Sequence, residues 1–141
     1  MENKKLTIDY YSDVLCVWAW IAQRRIDELA AEFSGNIDIQ FHCIDVFGCV
    51  EDKISTQWAD RDLYKGFRKH VMEAASGFED ATIHDDIWDS VKPTTSANAH
   101  LFIKAVQVAE GDVASEMFAL SVRRAFFTRA LDISNTQLLT E

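Results

Sequence analysis

Cys16, Cys43 and Cys49 are the residues of this sequence best suited to covalent chemistry. Their spacing contains no paired C-x-x-C, so neither a zinc site nor a dense disulfide framework is expected, and no metal is assigned. Cys16 follows a short alternating segment and precedes a helical pattern. A cysteine in the turn between a strand and a helix meets unpaired backbone N–H groups and the positive end of the helix dipole, and both favour thiolate over thiol. The thiolate is the species that attacks disulfides. The competing reading makes Cys16 a small buried apolar residue packed beside Trp18 and Trp20.

The other polar candidates carry weaker signals. Asp13 would oppose thiolate formation as a negative neighbour, and its expected role is to cap the following helix, with Ser12 shaping the same start. Trp18 and Trp20 suit an apolar rim for a bound peptide, although aromatic residues beside a helix start are more often core. His42, His70, His84 and His100 share no metal-ligand spacing and are assigned hydrogen-bonded or solvated roles. Glu79, Asp80, Asp85, Asp86 and Asp89 lack the alternating pattern of a calcium loop and read as a solvated face.

The elements that must position Cys16 follow from periodicity. Residues 6–11 alternate apolar and polar side chains and predict a strand, broken by Ser12-Asp13. From Trp18 the apolar positions Ile21, Ala22, Ile26, Leu29, Ala30 and Phe33 fall at helical spacing, and Gly35-Asn36 stops the helix. Residues 37–44 alternate again and predict a second strand. A strand, helix and strand with short connections form a βαβ unit with parallel strands, whose carboxyl ends share one edge. Cys16 and Cys43 both fall at that edge, where α/β sheets gather their chemistry. After Gly48 the pattern becomes helical. Leu63, Phe67 and Val71 predict a helix over about residues 57–75, Ser96 caps one carrying Leu101, Ala105 and Val108, and another after Gly111-Asp112 carries Val113, Met117, Leu120, Phe127 and Leu131. Ser134-Asn135 reads as one more cap. No third strand is apparent, and a two-stranded sheet is marginal by itself.

With 141 residues, 48% of them hydrophobic, the chain has the size and composition of one globular domain, divided into a βαβ part over residues 1–48 and a helical part over residues 49–141. The balance of 14 basic against 23 acidic residues, a net charge of −9, argues against nucleic acid or an anionic membrane surface as main partner. No run is long enough to span a bilayer, and the start at Met1-Glu2-Asn3-Lys4-Lys5 lacks the apolar stretch of a secretory signal. A cytoplasmic location with reduced thiols is therefore expected.

The segment Ser12-Asp13-Val14-Leu15-Cys16-Val17-Trp18-Ala19-Trp20 resembles the S-D-x-x-C-P-W-C-[YW] stretch of the DsbA-like thioredoxin proteins, in particular their FrnE-like and 2-hydroxychromene-2-carboxylate isomerase-like branches. The likeness continues through His42-Cys43-Ile44-Asp45-Val46-Phe47, through residues 93–101 as the start of an inserted helical domain, and through Ala125-Phe126-Phe127 with Leu131-Asp132-Ile133-Ser134. It implies an α/β, thioredoxin-like fold in which the N-terminal βαβ half carries a helical insertion domain and the C-terminal strands are missing. Three departures matter. Ala19 stands where the family has its second cysteine, Val17 stands where it has proline, and the segment bearing the remaining strands and the cis-proline loop has no counterpart, Pro93 lying elsewhere.

The resemblance implies a thiol–disulfide oxidoreductase or isomerase with Cys16 as nucleophile and Ser12, Asp13, Val17, Trp18 and Ala19 around it. Ala19 cannot resolve a mixed disulfide, so Cys43, Cys49 or glutathione as co-substrate would have to. No cofactor is required, the partners are a disulfide-containing protein or a small thiol, and an exposed sheet edge favours self-association. Without the cis-proline side of the site, weak exchange activity is expected. Two other readings remain open: a glutathione-dependent isomerase or kappa-type glutathione transferase, whose segment resembles S-P-Y-S-[WY] at the positions of Cys16 to Trp20, and a non-catalytic thioredoxin-fold binding protein.

Overall fold

The computed structural model describes residues 4–141. Strand β1 (Leu6–Ser12) and strand β2 (Ile37–Cys43) pair in parallel, in register from Leu6 opposite Ile37 to Ser12 opposite Cys43. Helix α1 (Val17–Glu32) makes the crossover between them. Phe33 closes it, and Asn36 then bonds back to the Phe33 carbonyl at 2.8 Å while Leu6 bonds to the Asn36 carbonyl at 2.8 Å, so the turn out of α1 fixes the strand register. The parallel register brings the ends of both strands, and the loops that follow them, to one edge.

Six helices occur among the described residues: α1, α2 (Val50–Gln57), α3 (Leu63–Ala75), α4 (Ala97–Glu110), α5 (Asp112–Phe127) and α6 (Thr136–Thr140). The expected helix from about residue 57 is corrected at its start. The chain is already helical from Val50, and residues 59–61 form a 3-10 turn before α3 begins. Only Val50 and Ile54 of α2 are buried, too few apolar positions to reveal a period. The reversal into α3 uses positive φ at Asp62 (63°) and Leu63 (48°), the second unusual for a residue with a branched side chain. The helix after Gly111 ends at Phe127 rather than reaching Leu131, because Ala130 turns left-handed at φ 50°. Gly111, at φ 91°, lets α4 pass directly into α5.

The core lies beside the sheet edge rather than on the sheet. Val14, Leu15, Val17, Trp20 and Ile21 join Phe47, Val50, Ile54, Phe67, Val71, Trp88, Phe126 and Phe127 in one buried cluster that runs across both sides of residue 48. Aromatic rings stack through its centre. Trp88 packs at centroid distances of 5.2 Å on Phe67, 5.3 Å on Phe126 and 6.0 Å on Phe47, and Trp20 stacks on Phe127 at 5.5 Å. Each such ring contributes about 1.5–3 kcal/mol by its burial. No strand residue is fully buried, in contrast to the Asp13–Leu15 loop that leads into α1.

Candidate active-thiol site

Cys16 is the N-cap residue of α1, extended at φ −76° and ψ 119°. Its N–H donates to the Asp13 carbonyl at 3.1 Å and its carbonyl accepts from Trp20 N at 3.1 Å. No side chain caps the helix and its first turn has no acidic residue, so the positive end of the helix reaches the half-buried sulfur without a competing carboxylate in that turn. Val17 and Ala19, on either side of Trp18, are both buried. The tryptophans divide between the two roles considered for them. Trp18 is 53% exposed beside Cys16, whereas Trp20 is core, with Nε1 donating to the Thr82 carbonyl at 3.1 Å.

Asp13 does not cap α1, contrary to the sequence expectation. Its side chain is buried, with Oδ1 accepting from Leu15 N at 2.8 Å and Oδ2 accepting from Phe47 N at 2.9 Å and Ser96 Oγ at 2.6 Å. It therefore ties the loop before Cys16 to the loop after β2 and to the start of α4. His100, one turn into α4, completes the clamp. The Val14 amide can only donate, so Nε2 accepts it at 3.2 Å and Nδ1–H donates to Asp45 Oδ1 at 2.6 Å. These contacts hold the Cys16 turn from three directions, satisfying amides that a buried loop would otherwise leave unpaired.

Arg123 is the site residue that sequence reasoning missed. It lies on α5, 6% exposed, and its Nη2 donates to Ser12 Oγ at 2.7 Å. Its Nε is buried without a partner, and it forms no ion pair among the described residues. Burial pulls the guanidinium down from its usual range, opposed by Tyr10, Cys43, Asp13 and Cys16 nearby. The signal was present in the sequence: Arg123 falls between Leu120 and Phe127 on the apolar stripe of its helix, where a charge needs a reason.

The remaining thiols separate on the same criterion. Cys43, paired in register with Ser12, is pushed up by burial, opposed by Arg123; Asp13 and Asp45 push the same way as burial and Lys104 against it. Cys49 is the exposed N-cap residue of α2 and lies near Tyr64 instead. Cys16 and Cys43 thus share one cation, and Cys49 stands apart from it. His42 bonds Asp9 at 2.8 Å and stacks on Tyr11, and His70 packs on Trp58. No group of three or more metal-ligating side chains occurs among the described residues. A cavity of about 350 Å³ between α5 and α6 is lined by Phe118, Val122, Leu131 and Leu139, with Cys16 not among its lining residues.

No family model and no curated protein sequence matches the chain. Solved structures do match it. It resembles a protein from Nitrosomonas europaea described as a putative protein disulfide isomerase, with a TM-score of 0.70 and 14% identity over 96% of this chain and 62% of that one. It also resembles the cytosolic disulfide reductase DsbM of Pseudomonas aeruginosa, with a TM-score of 0.66 and 21% identity over 95% of this chain and 60% of that one. The same reductase solved with GSH gives a TM-score of 0.60 and 20% identity, over 95% of this chain and 61% of that one. The chain spans about three fifths of the length of these proteins. The strand–helix–strand unit followed by the helical segment has the α/β, thioredoxin-like fold of these structures.

Proposed function

We propose that this chain carries the nucleophilic side of a DsbA-like thiol–disulfide oxidoreductase or isomerase, with Cys16 as the attacking thiol. The observation that carries the reading is the position of Cys16: it caps the start of α1 after the short loop that follows a parallel strand, in a fold shared with disulfide enzymes. The Cys16 thiolate attacks one sulfur of a substrate disulfide, forming a mixed disulfide while the other sulfur leaves as thiolate with the bonding electron pair. Ala19 supplies no second sulfur, so an external thiol must attack the mixed disulfide and return Cys16 to thiolate. Glutathione is the proposed co-substrate, and the solved complex of DsbM with GSH favours it. Of the internal candidates, Cys43 shares Arg123 with Cys16 and Cys49 does not. Ser12, Asp13 and Val17 shape the turn, and exposed Trp18 offers an apolar surface to a protein or peptide disulfide. No helix among the described residues is long and apolar enough to cross a membrane. Together with the cytosolic DsbM likeness this favours a cytoplasmic setting.

Reaction with oxidised glutathione followed by peptide mass mapping tests the reading. The expected result is a glutathione adduct forming on Cys16 faster than on Cys43, on Cys49 or on an unstructured cysteine peptide, and lost in Cys16→Ser. Equal adduct formation at all three cysteines overturns it. Isomerase or transferase turnover with tightly bound glutathione, persisting in Cys16→Ser, moves the assignment to the glutathione-dependent enzymes.

A further inference from the structure

A guanidinium is always charged, and burying one costs several kcal/mol unless an anion or a full set of acceptors meets it. Arg123 has neither. One of its groups donates to Ser12 Oγ, Nε has no acceptor, and no carboxylate pairs with it among the described residues. The carboxylate whose charge acts on Arg123 is Asp13, whose two oxygens already receive Leu15 N, Phe47 N and Ser96 Oγ. The other ionisable groups facing Arg123 are Tyr10 from β1, Cys43 from β2 and Cys16 from α1, while Asp45 and Lys104 flank Cys43. Of these, the thiols at the carboxyl edge of the sheet are the ones a redox reaction makes negative. A cation held there without an anion is an arrangement waiting for charge.

We infer that Arg123 is a positioning residue for the thiol reaction: Ser12 fixes its buried guanidinium at the sheet edge, where it balances negative charge on the Cys16 sulfur. The inference rests on the proposed function. Cys16 is negative twice in each cycle, as the attacking thiolate and again as the leaving group when an external thiol displaces it. Arg123 forms no bond to substrate in either step. It lowers the cost of both charged stages from a fixed position in a medium where water screens poorly. A further consequence is selectivity by charge, because the field that holds a thiolate also draws anionic partners.

Alkylation of the whole chain with neutral iodoacetamide and anionic iodoacetate, mapped to the Cys16 peptide, tests this. Relative to N-acetylcysteine amide, the ratio of iodoacetate to iodoacetamide rates at Cys16 should be raised about threefold or more. Arg123→Met should bring the ratio to the reference value, and Arg123→Lys should keep most of the excess. Circular dichroism establishes that each variant is folded. A wild-type ratio equal to the reference overturns the inference, as does a folded Arg123→Met that keeps the excess. If Arg123→Met does not fold, the wild-type ratio together with Ser12→Ala decides, since freeing the guanidinium should reduce the excess without removing any charge. The glutathione experiment reads separately: an absent adduct at Cys16 removes the oxidoreductase reading while the reagent ratio still reports Arg123.

Discussion

Asp13 receives three hydrogen bonds from three different segments, and each is a buried donor that loses its acceptor if the carboxylate goes. Hydrogen bonds to a charged group contribute about 1.5–3 kcal/mol apiece, so Asp13→Ala should destabilise the chain by about 3 kcal/mol or more in urea unfolding, against about 1–2 kcal/mol for Ser96→Ala. An Asp13→Ala variant as stable as the wild type would show that these loops are held by packing alone. The carboxylate was legible as a turn residue from the Ser12-Asp13 break, but its partners were not, because Phe47 and Ser96 reach it from 34 and 83 residues away. Cys16 was legible because its position depends on local pattern only. Arg123 was legible only as a charge on an apolar stripe, and its partner Ser12 was not, because it lies 111 residues away. At Cys43, burial pushes the thiol up. A raised thiol holds less thiolate at any pH below its titration, so the Cys43 peptide should alkylate more slowly than an unstructured cysteine near pH 8 and approach it as pH rises. Faster alkylation near pH 8 would show that Cys43, exposed at the end of β2, is not held up by its partial desolvation.

Helix α3 shows a constraint that composition hides. Gly66 sits in its first turns, where an added Cβ would lie 1.6 Å from the Arg61 carbonyl oxygen. An ordinary helical glycine gains about 1 kcal/mol on replacement by alanine. Here the preceding 3-10 turn folds back against the helix, so Gly66→Ala must displace backbone and should cost about 1–3 kcal/mol in chemical denaturation. A stabilised Gly66→Ala would mean that the turn at residues 59–61 relaxes freely. The same turn explains why the helix start was misplaced from the sequence. The apolar period of Leu63, Phe67 and Val71 is real, but the chain enters it through positive φ at Asp62 and Leu63, a conformation no hydrophobic pattern encodes. The βαβ unit, by contrast, was legible with its register direction, since alternation changes to helical spacing and back with stop residues between.

At the scale of the molecule, the aromatic core and the sheet are unequal partners. Trp20, Phe67, Trp88, Phe126 and Phe127 draw α1, α3, α5 and the loop before α4 into one buried mass, while Leu6 and Tyr11 of β1 stay exposed. Among the described residues each strand also has one edge without a strand partner, and two-stranded sheets are marginal without cover. Local opening should therefore begin at the strands. In native-state hydrogen exchange the amides of residues 6–12 and 37–43 should open with a lower free energy than those of α5, which should track global unfolding. Phe127→Ala deletes the ring that stacks on Trp20, and a buried aromatic truncation costs about 3–5 kcal/mol, so it should lower α5 protection by that amount. The strand amides should scarcely respond, because their opening does not disrupt the core. Equal loss of protection in strands and helices would show instead that the sheet and the core unfold as one unit, and that the Cys16 turn between them is only as stable as the whole.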